Sequence, residues 1–115
     1  MNEIEFDRFK QTEEYQEWLN ALDGSVRGRL EKRMDKYEED KKLPTTAGFL
    51  QADGIGEIRF DFGPGYRIYF CQYGKVIILL LTGGDKDTQA SDIERAKAIK
   101  PYAIKKLETE RESKK

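Results

Sequence analysis

The chain carries 115 residues, 37% of them hydrophobic and 37% charged, with a formal net charge of −1 at pH 7. That length holds one domain with a modest core, and the charge balance excludes a nucleic-acid binder that relies on bulk charge while leaving room for a local basic site. With no histidine and one cysteine, histidine acid–base pairs, His-containing triads, His-ligated metals and an internal disulfide are all excluded.

Residues 3–6 alternate charged and apolar side chains and are expected as a short first strand. Thr12 suits a helix N-cap, and Glu13 and Glu14 after it favour the positive end of a helix dipole. Tyr15, Trp18, Leu19 and Leu22 recur at helical spacing and make one apolar face. Asp23-Gly24-Ser25 breaks that helix. A second amphipathic helix follows with Val26, Leu30, Met34 and Tyr37 turned inward, and the short break implies an antiparallel helical hairpin.

Residues 43–56 are expected as a loop, followed by strands over 57–62, 66–72 and 75–82. Gly63-Pro64-Gly65 and Tyr73-Gly74 supply the two tight turns. Val76 to Leu81 is apolar at every position, so this strand is expected to be central and covered on both faces, ending at Gly83-Gly84. Ser91 with Glu94 forms a capping-box pattern that opens a last helix. Pro101 bends or ends that helix, and the polar tail over 108–115 is expected to fray. This order predicts an α+β fold in a single domain over residues 1–107: an N-terminal strand and helical hairpin packed on a small, mostly antiparallel twisted sheet, with a C-terminal helix. The helices are expected on one sheet face, with the other partly open. No apolar run approaches a membrane span, and the N-terminus lacks a basic region followed by an apolar stretch. A cytoplasmic protein with no membrane partner is therefore expected, and the lone Cys71 fits that setting as a small hydrophobe inside a strand.

The most informative stretch runs from Glu57 to Phe70. Ile58, Phe60 and Phe62 share one face of its first strand, and Glu57, Arg59 and Asp61 the other; after the turn, Arg67, Tyr69 and Cys71 alternate with Tyr66, Ile68 and Phe70. Two arginines thus stand on paired strands, a rigid placement for guanidinium groups suited to phosphate. Arg59 and Arg67 also have a structural reading, as cross-strand ion pairs with Glu57 and Asp61.

These residues resemble bacterial RelE/ParE superfamily toxins of type II toxin–antitoxin modules, in particular the HigB-like addiction-module killer branch. The resemblance is carried by Gly56-Glu57-Ile58-Arg59, by Gly63-Pro64-Gly65-Tyr66-Arg67-Ile68-Tyr69-Phe70, and by Leu79 to Gln89 with Gly83-Gly84-Asp85-Lys86, then Asp92-Ile93, with the Trp18-Leu19 hairpin in support. It implies a RelE-like fold and an enzyme, a ribosome-dependent endoribonuclease that cuts mRNA and arrests translation. The ParE branch implies the alternative, a non-enzymatic inhibitor of DNA gyrase, and an inactive relative that only binds partners is a third possibility. Arg67 matches the sheet arginine of the RelE-type active site and Arg59 a basic strand residue, while Lys86 falls where an arginine is often found. Glu57 stands where some members have a lysine and Asp92 near the position of a C-terminal tyrosine; both depart from the pattern.

The partners implied are a cognate antitoxin, usually a small helix-turn-helix protein, and the 70S ribosome with its mRNA; DNA is reached only through the antitoxin. No cofactor and no metal are expected, since Asp85, Asp87 and Asp92 sit around a helix start, where carboxylates favour the dipole.

If the 2′-hydroxyl attacks the adjacent phosphate, cations held on rigid strands stabilise the charge that builds on the phosphoryl oxygens. Arg67, Arg59 and Lys86 are the candidates for that role, and Glu57 and Asp92 for the general base, though a carboxylate is a weak base unless burial raises its pKa. Tyr69, Gly84 and Gln89 are the candidates to bind RNA, Tyr69 by orienting or stacking a base and Gly84 by letting a phosphate approach. The ribosome supplies the remaining orientation, so little activity on free RNA is expected.

Overall fold

The computed structural model describes residues 4–50 and 53–113. Five strands form one sheet in the order β1-β5-β4-β3-β2, with β1 at Arg8–Gln11, β2 at Gly48–Phe49, β3 at Gly56–Arg59, β4 at Arg67–Tyr73 and β5 at Ile77–Gly84. β2 to β5 pair antiparallel with their neighbours and β1 joins β5 in parallel. The α+β architecture and its mostly antiparallel sheet are as expected.

The helical hairpin forms as α1, Glu13–Asn20, and α2, Gly24–Asp40. Thr12 does two jobs at its entrance: its Oγ1 accepts from the Tyr15 amide at 2.9 Å and donates to the Leu81 carbonyl at 2.7 Å, so one residue caps α1 and fixes it to β5. Asp23 caps α2 by accepting from the Ser25 amide at 3.1 Å, and Lys41 ends it in the left-handed region at φ 62°.

The first strand lies later than expected. Glu3 is outside the described residues and Glu5 makes only an isolated bridge with Lys42, while Arg8–Gln11 pairs with β5. The alternation over residues 3–6 is satisfied instead by Phe6 packing into the core beside Phe9. The loop over 43–56, of which residues 51 and 52 are outside the described set, contains the short β2. β3 stops at Arg59, short of the expected 57–62, and Val76 belongs to the turn, 44% exposed.

Both faces of the sheet are covered, which corrects the expectation of helices on one side. Ile58, Ile68, Phe70, Ile78 and Leu80 pack with Tyr15, Leu19, Leu30 and Met34 of the hairpin. Tyr69, Cys71, Ile77, Leu79 and Leu81 pack with Ala96 and Leu107 of α3, Gln89–Ser113. Burying each such aliphatic side chain contributes roughly 1.5–3 kcal/mol, so β5, buried from Ile77 to Gly83, anchors the domain.

α3 is preceded by a 3₁₀ turn over Lys86–Thr88, which Asp85 caps by accepting from the Asp87 and Thr88 amides at 2.8 and 3.2 Å. The helix start is therefore set by Asp85 and Thr88, not by the Ser91–Glu94 pattern. Pro101 neither ends the helix nor leaves a tail at residue 108, since α3 is continuous to Ser113. Glu108 reaches the Tyr73 hydroxyl at 3.3 Å, and the Arg111 guanidinium lies 5.7 Å from the same ring. Residues 114 and 115 lie outside the described set.

Candidate functional site

The strand period and one β-bulge assemble the site. Arg59 lies directly across from Arg67, and Arg67 across from Gly84, so three adjacent strands present one row at the same end of the sheet. Between Tyr69/Thr82 and Phe70/Leu80 the register slips, and Leu81 is the extra residue. Beyond that bulge Thr82 and Gly84 face α3, whereas an unbroken period would have turned them toward the hairpin.

Glu57 is the centre of this row. The residue is 2% exposed, and its Oε1 accepts from Arg59 Nε at 2.5 Å and Arg67 Nη1 at 3.0 Å, while Oε2 accepts from Gln89 Nε2 at 2.9 Å. One carboxylate between two guanidiniums leaves an excess of positive charge. The two arginines differ in access: the Arg59 side chain is 60% exposed and that of Arg67 only 13%. Asp61 is not part of the arrangement and lies 3.9 Å from Arg33 of α2.

A second buried carboxylate sits behind the first. Asp92 accepts from Thr88 Oγ1 at 2.5 Å and from Arg95 Nη1 at 3.0 Å, and Arg95 Nη2 donates to Thr82 Oγ1 at 2.8 Å. Tyr69 lies across from Glu57 on one side and Thr82 on the other, and its hydroxyl and Arg67 Nε are buried polar atoms without a hydrogen-bond partner among the described residues. Burial, with Glu57 and Asp92 adding to it, pushes the Tyr69 phenol well above its usual range against the opposing pull of Arg67 and Arg59.

Several sequence-based assignments change. Tyr69 is fully buried and offers no face for a base to stack on. A Cβ on Gly84 would collide with the Asp92 carboxylate and crowd Thr88, so glycine there lets α3 approach the strand. Gln89 is half-buried and turned to Glu57. Glu57 accepts from Arg59 and Arg67 and Asp92 accepts from Arg95, so within the fold both carboxylates hold cations. Lys86 is exposed, packs its Cβ over Gly65 of the Gly63–Gly65 turn, and makes no ion pair among the described residues. That turn adopts the positive φ anticipated for it, 60° at Gly63 and 80° at Gly65.

The family model for Phage derived protein Gp49-like (DUF891) matches residues 17–107, most of the chain. The chain belongs to this Gp49-like family. It is a family of RelE/HigB-type addiction-module killer proteins, as the motifs on β3 to β5 implied. An uncharacterized protein of Haemophilus influenzae strain Rd is 51% identical over 47 residues, 41% of this chain and 48% of the relative; the chain thus matches about half the length of that relative. Among solved structures, an arginine-to-alanine double mutant of the Escherichia coli toxin RelE in the free state superposes with a TM-score of 0.59 at 18% identity, covering 83% of this chain and 95% of RelE. The intact E. coli RelBE toxin–antitoxin complex gives 0.55 at 18% identity over 70% of this chain and 95% of the other. The fold is RelE-like.

The residues that sequence reasoning missed in this Gp49-like chain are Thr82, Thr88 and Arg95. Asp92 and Arg95 stand three apart on one helix face, a spacing visible in the sequence. Their inward direction depends on where α3 begins and on the bulge at Leu81, neither of which the spacing reveals.

Proposed function

We propose that this protein is the toxin of a type II toxin–antitoxin module and acts as a ribosome-dependent mRNA endoribonuclease. The observation that carries the reading is the row of Arg59 and Arg67 across paired strands, with Lys86 beside it on the adjoining turn. Its guanidiniums are held by Glu57 on rigid backbone, so they stabilise charge developing on a phosphoryl group without reorganising. Exposed Arg59 meets the phosphate first and the deeper Arg67 holds the geometry. Glu57 is buried and tied to two arginines, which disfavours it as the taker of the 2′-hydroxyl proton and supports a reaction driven by in-line positioning of mRNA on the ribosome. The partners are then a cognate antitoxin of the helix-turn-helix kind and the 70S ribosome, with DNA contacted only through the antitoxin.

One observation favours a second reading. Glu57 already neutralises part of the arginine charge, as suits a relative that binds partners without cleaving RNA. Mapping of mRNA ends after induction separates the readings, comparing wild type with Arg67→Ala and with Lys86→Ala, an exposed site whose loss leaves the fold intact. Cuts within translated codons that weaken in both variants establish the nuclease. Growth arrest with intact mRNA points to a gyrase inhibitor, and normal growth with intact mRNA to a non-cleaving relative.

A further inference from the structure

The turn that joins the two arginine strands carries an aromatic lobe capped by arginines of α2. The Phe60 amide donates to the Tyr66 carbonyl at 2.9 Å and closes the lobe over residues 60–66. Within it the Phe62 ring centroid lies 6.1 Å from that of Phe60 and 5.6 Å from that of Tyr66. Two guanidiniums converge on Phe62: that of Arg29 stands over the ring at 3.8 Å from its centroid, and that of Arg33 at 5.2 Å. Arg33 also lies 3.9 Å from Asp61. Arg29 is exposed and makes no hydrogen bond or ion pair among the described residues. The ring quadrupole holds its cation in place, while its donors stay unspent and its outer face meets solvent. On the α3 side of the same lobe, Lys86 packs over Gly65. The Gly63–Gly65 tip is thus flanked by a cation on each side, and the paired Arg59 and Arg67 stand at the two ends of the lobe.

We propose that Arg29, seated on Phe62, is a stacking platform for a base of single-stranded RNA, in a nucleotide neighbouring the phosphate held by Arg59 and Arg67. The proposal rests on reading the arginine row as an RNA site, and it places the next part of the strand. A guanidinium plane stacks on a base much as an aromatic ring does. An arginine already lying on a ring is ordered before the base arrives, so little side-chain entropy is left to lose on binding. The tip between the row and the platform is Gly-Pro-Gly, which has no long side chain to obstruct a strand passing over it. Lysine would not serve in the same place, since a compact ammonium has no plane to offer. Stacking grows with the area of the base, so the platform favours a purine over a pyrimidine at that position.

The test uses the full chain and two RNAs of about six nucleotides, all-adenine and all-uracil, with 2′-O-methyl groups so that neither can be cleaved. Wild type is expected to bind the adenine strand about threefold or more tightly than the uracil strand, with the Arg29 Nε–H NMR signal moved by the ring current of the stacked base. Arg29→Lys keeps the charge and loses the plane. It should bring the two affinities together while leaving the thermal melt close to wild type and the salt dependence of binding unchanged. Arg67→Ala should weaken both strands alike. If Arg29 serves only to cover Phe62, Arg29→Lys lowers the melt and leaves the affinity ratio alone. That result, equal affinities in wild type, or no binding of either strand overturns the proposal. An absence of mRNA cuts in induced cells overturns the nuclease reading alone, because the adenine preference is read on strands that cannot be cut.

Discussion

Glu57 serves two arginines that sit in different solvents, and substitution separates them. Arg59 is 60% exposed, so its ion pair is screened and Arg59→Ala should cost no more than about 1 kcal/mol. Arg67 is 13% exposed and Glu57 only 3% at its side chain. Glu57→Ala strands Arg67 in the interior and should cost roughly 3–5 kcal/mol. Urea denaturation of both variants checks the contrast; equal losses would mean that Glu57 is not the holder described above. Gly84 makes a different demand. A methyl group there collides with the Asp92 carboxylate, so Gly84→Ala should lower stability by about 1–3 kcal/mol, read as a fall in the melting temperature. The arginine row was legible in the sequence because the strand period is two and both arginines lie on one face. That Glu57 lies on the same face was equally legible, and its pairing with Arg59 and Arg67 was one of the readings open there. The burial of Tyr69 was not, since the same alternation places it beside Arg67 and only the path of α3 covers it.

At the scale of the element, α3 decides how the site is closed. It brings Gln89 to Glu57 and Asp92 with Arg95 to Gly84 and Thr82, so its first turns must be in place before the row is complete. Its start was misplaced in the sequence because Ser91–Glu94 carries the usual capping-box pattern, whereas the box that forms uses Asp85 with Thr88 in the place of the usual Glu or Gln. β1 escaped for a similar reason: residues 3–6 alternate as well as residues 8–11 do, and pairing with β5, a long-range contact, selects the second set. Pro101 shows propensity overridden by packing. It lies inside α3 on an exposed face, where it lacks the amide that would donate to the preceding turn. Leu107 beyond it is buried, and that contact carries the helix through. Pro101→Ala should therefore raise stability by about 1–3 kcal/mol, seen as a higher melting temperature with the fold unchanged. A fall would show that the proline shapes the helix to fit the sheet.

At the scale of the whole molecule, two cores on opposite faces of one sheet each bury a phenol, and the α3-side core also buries a thiol. Burial pushes the Cys71 thiol from 9.0 up to about 11, with Lys100 acting the other way. Burial pushes Tyr15 and Tyr69 well above the usual 10.0, helped by Glu31 and Asp35 at the first and by Glu57 and Asp92 at the second. In each case the unfolded chain loses its proton at a lower pH than the folded one. The neutral group's contribution is therefore complete below its unfolded pKa and is lost as pH rises toward the folded value. Stability should hold to about pH 8.5, fall between about pH 9 and 10 as the thiol alone drives the change, and fall more steeply above about pH 10 as the phenols join. Each group adds a slope of about 1.4 kcal/mol per pH unit. Tyr69→Phe isolates one of these slopes and also removes a hydroxyl that has no partner among the described residues. The variant should be at least as stable as wild type at pH 8, and above pH 10 its loss should be shallower by that single increment. Urea unfolding at half-unit pH steps reads both quantities. An unchanged slope above pH 10 would mean that the Tyr69 phenol is hydrated in the folded protein and that α3 does not seal the floor of the arginine row.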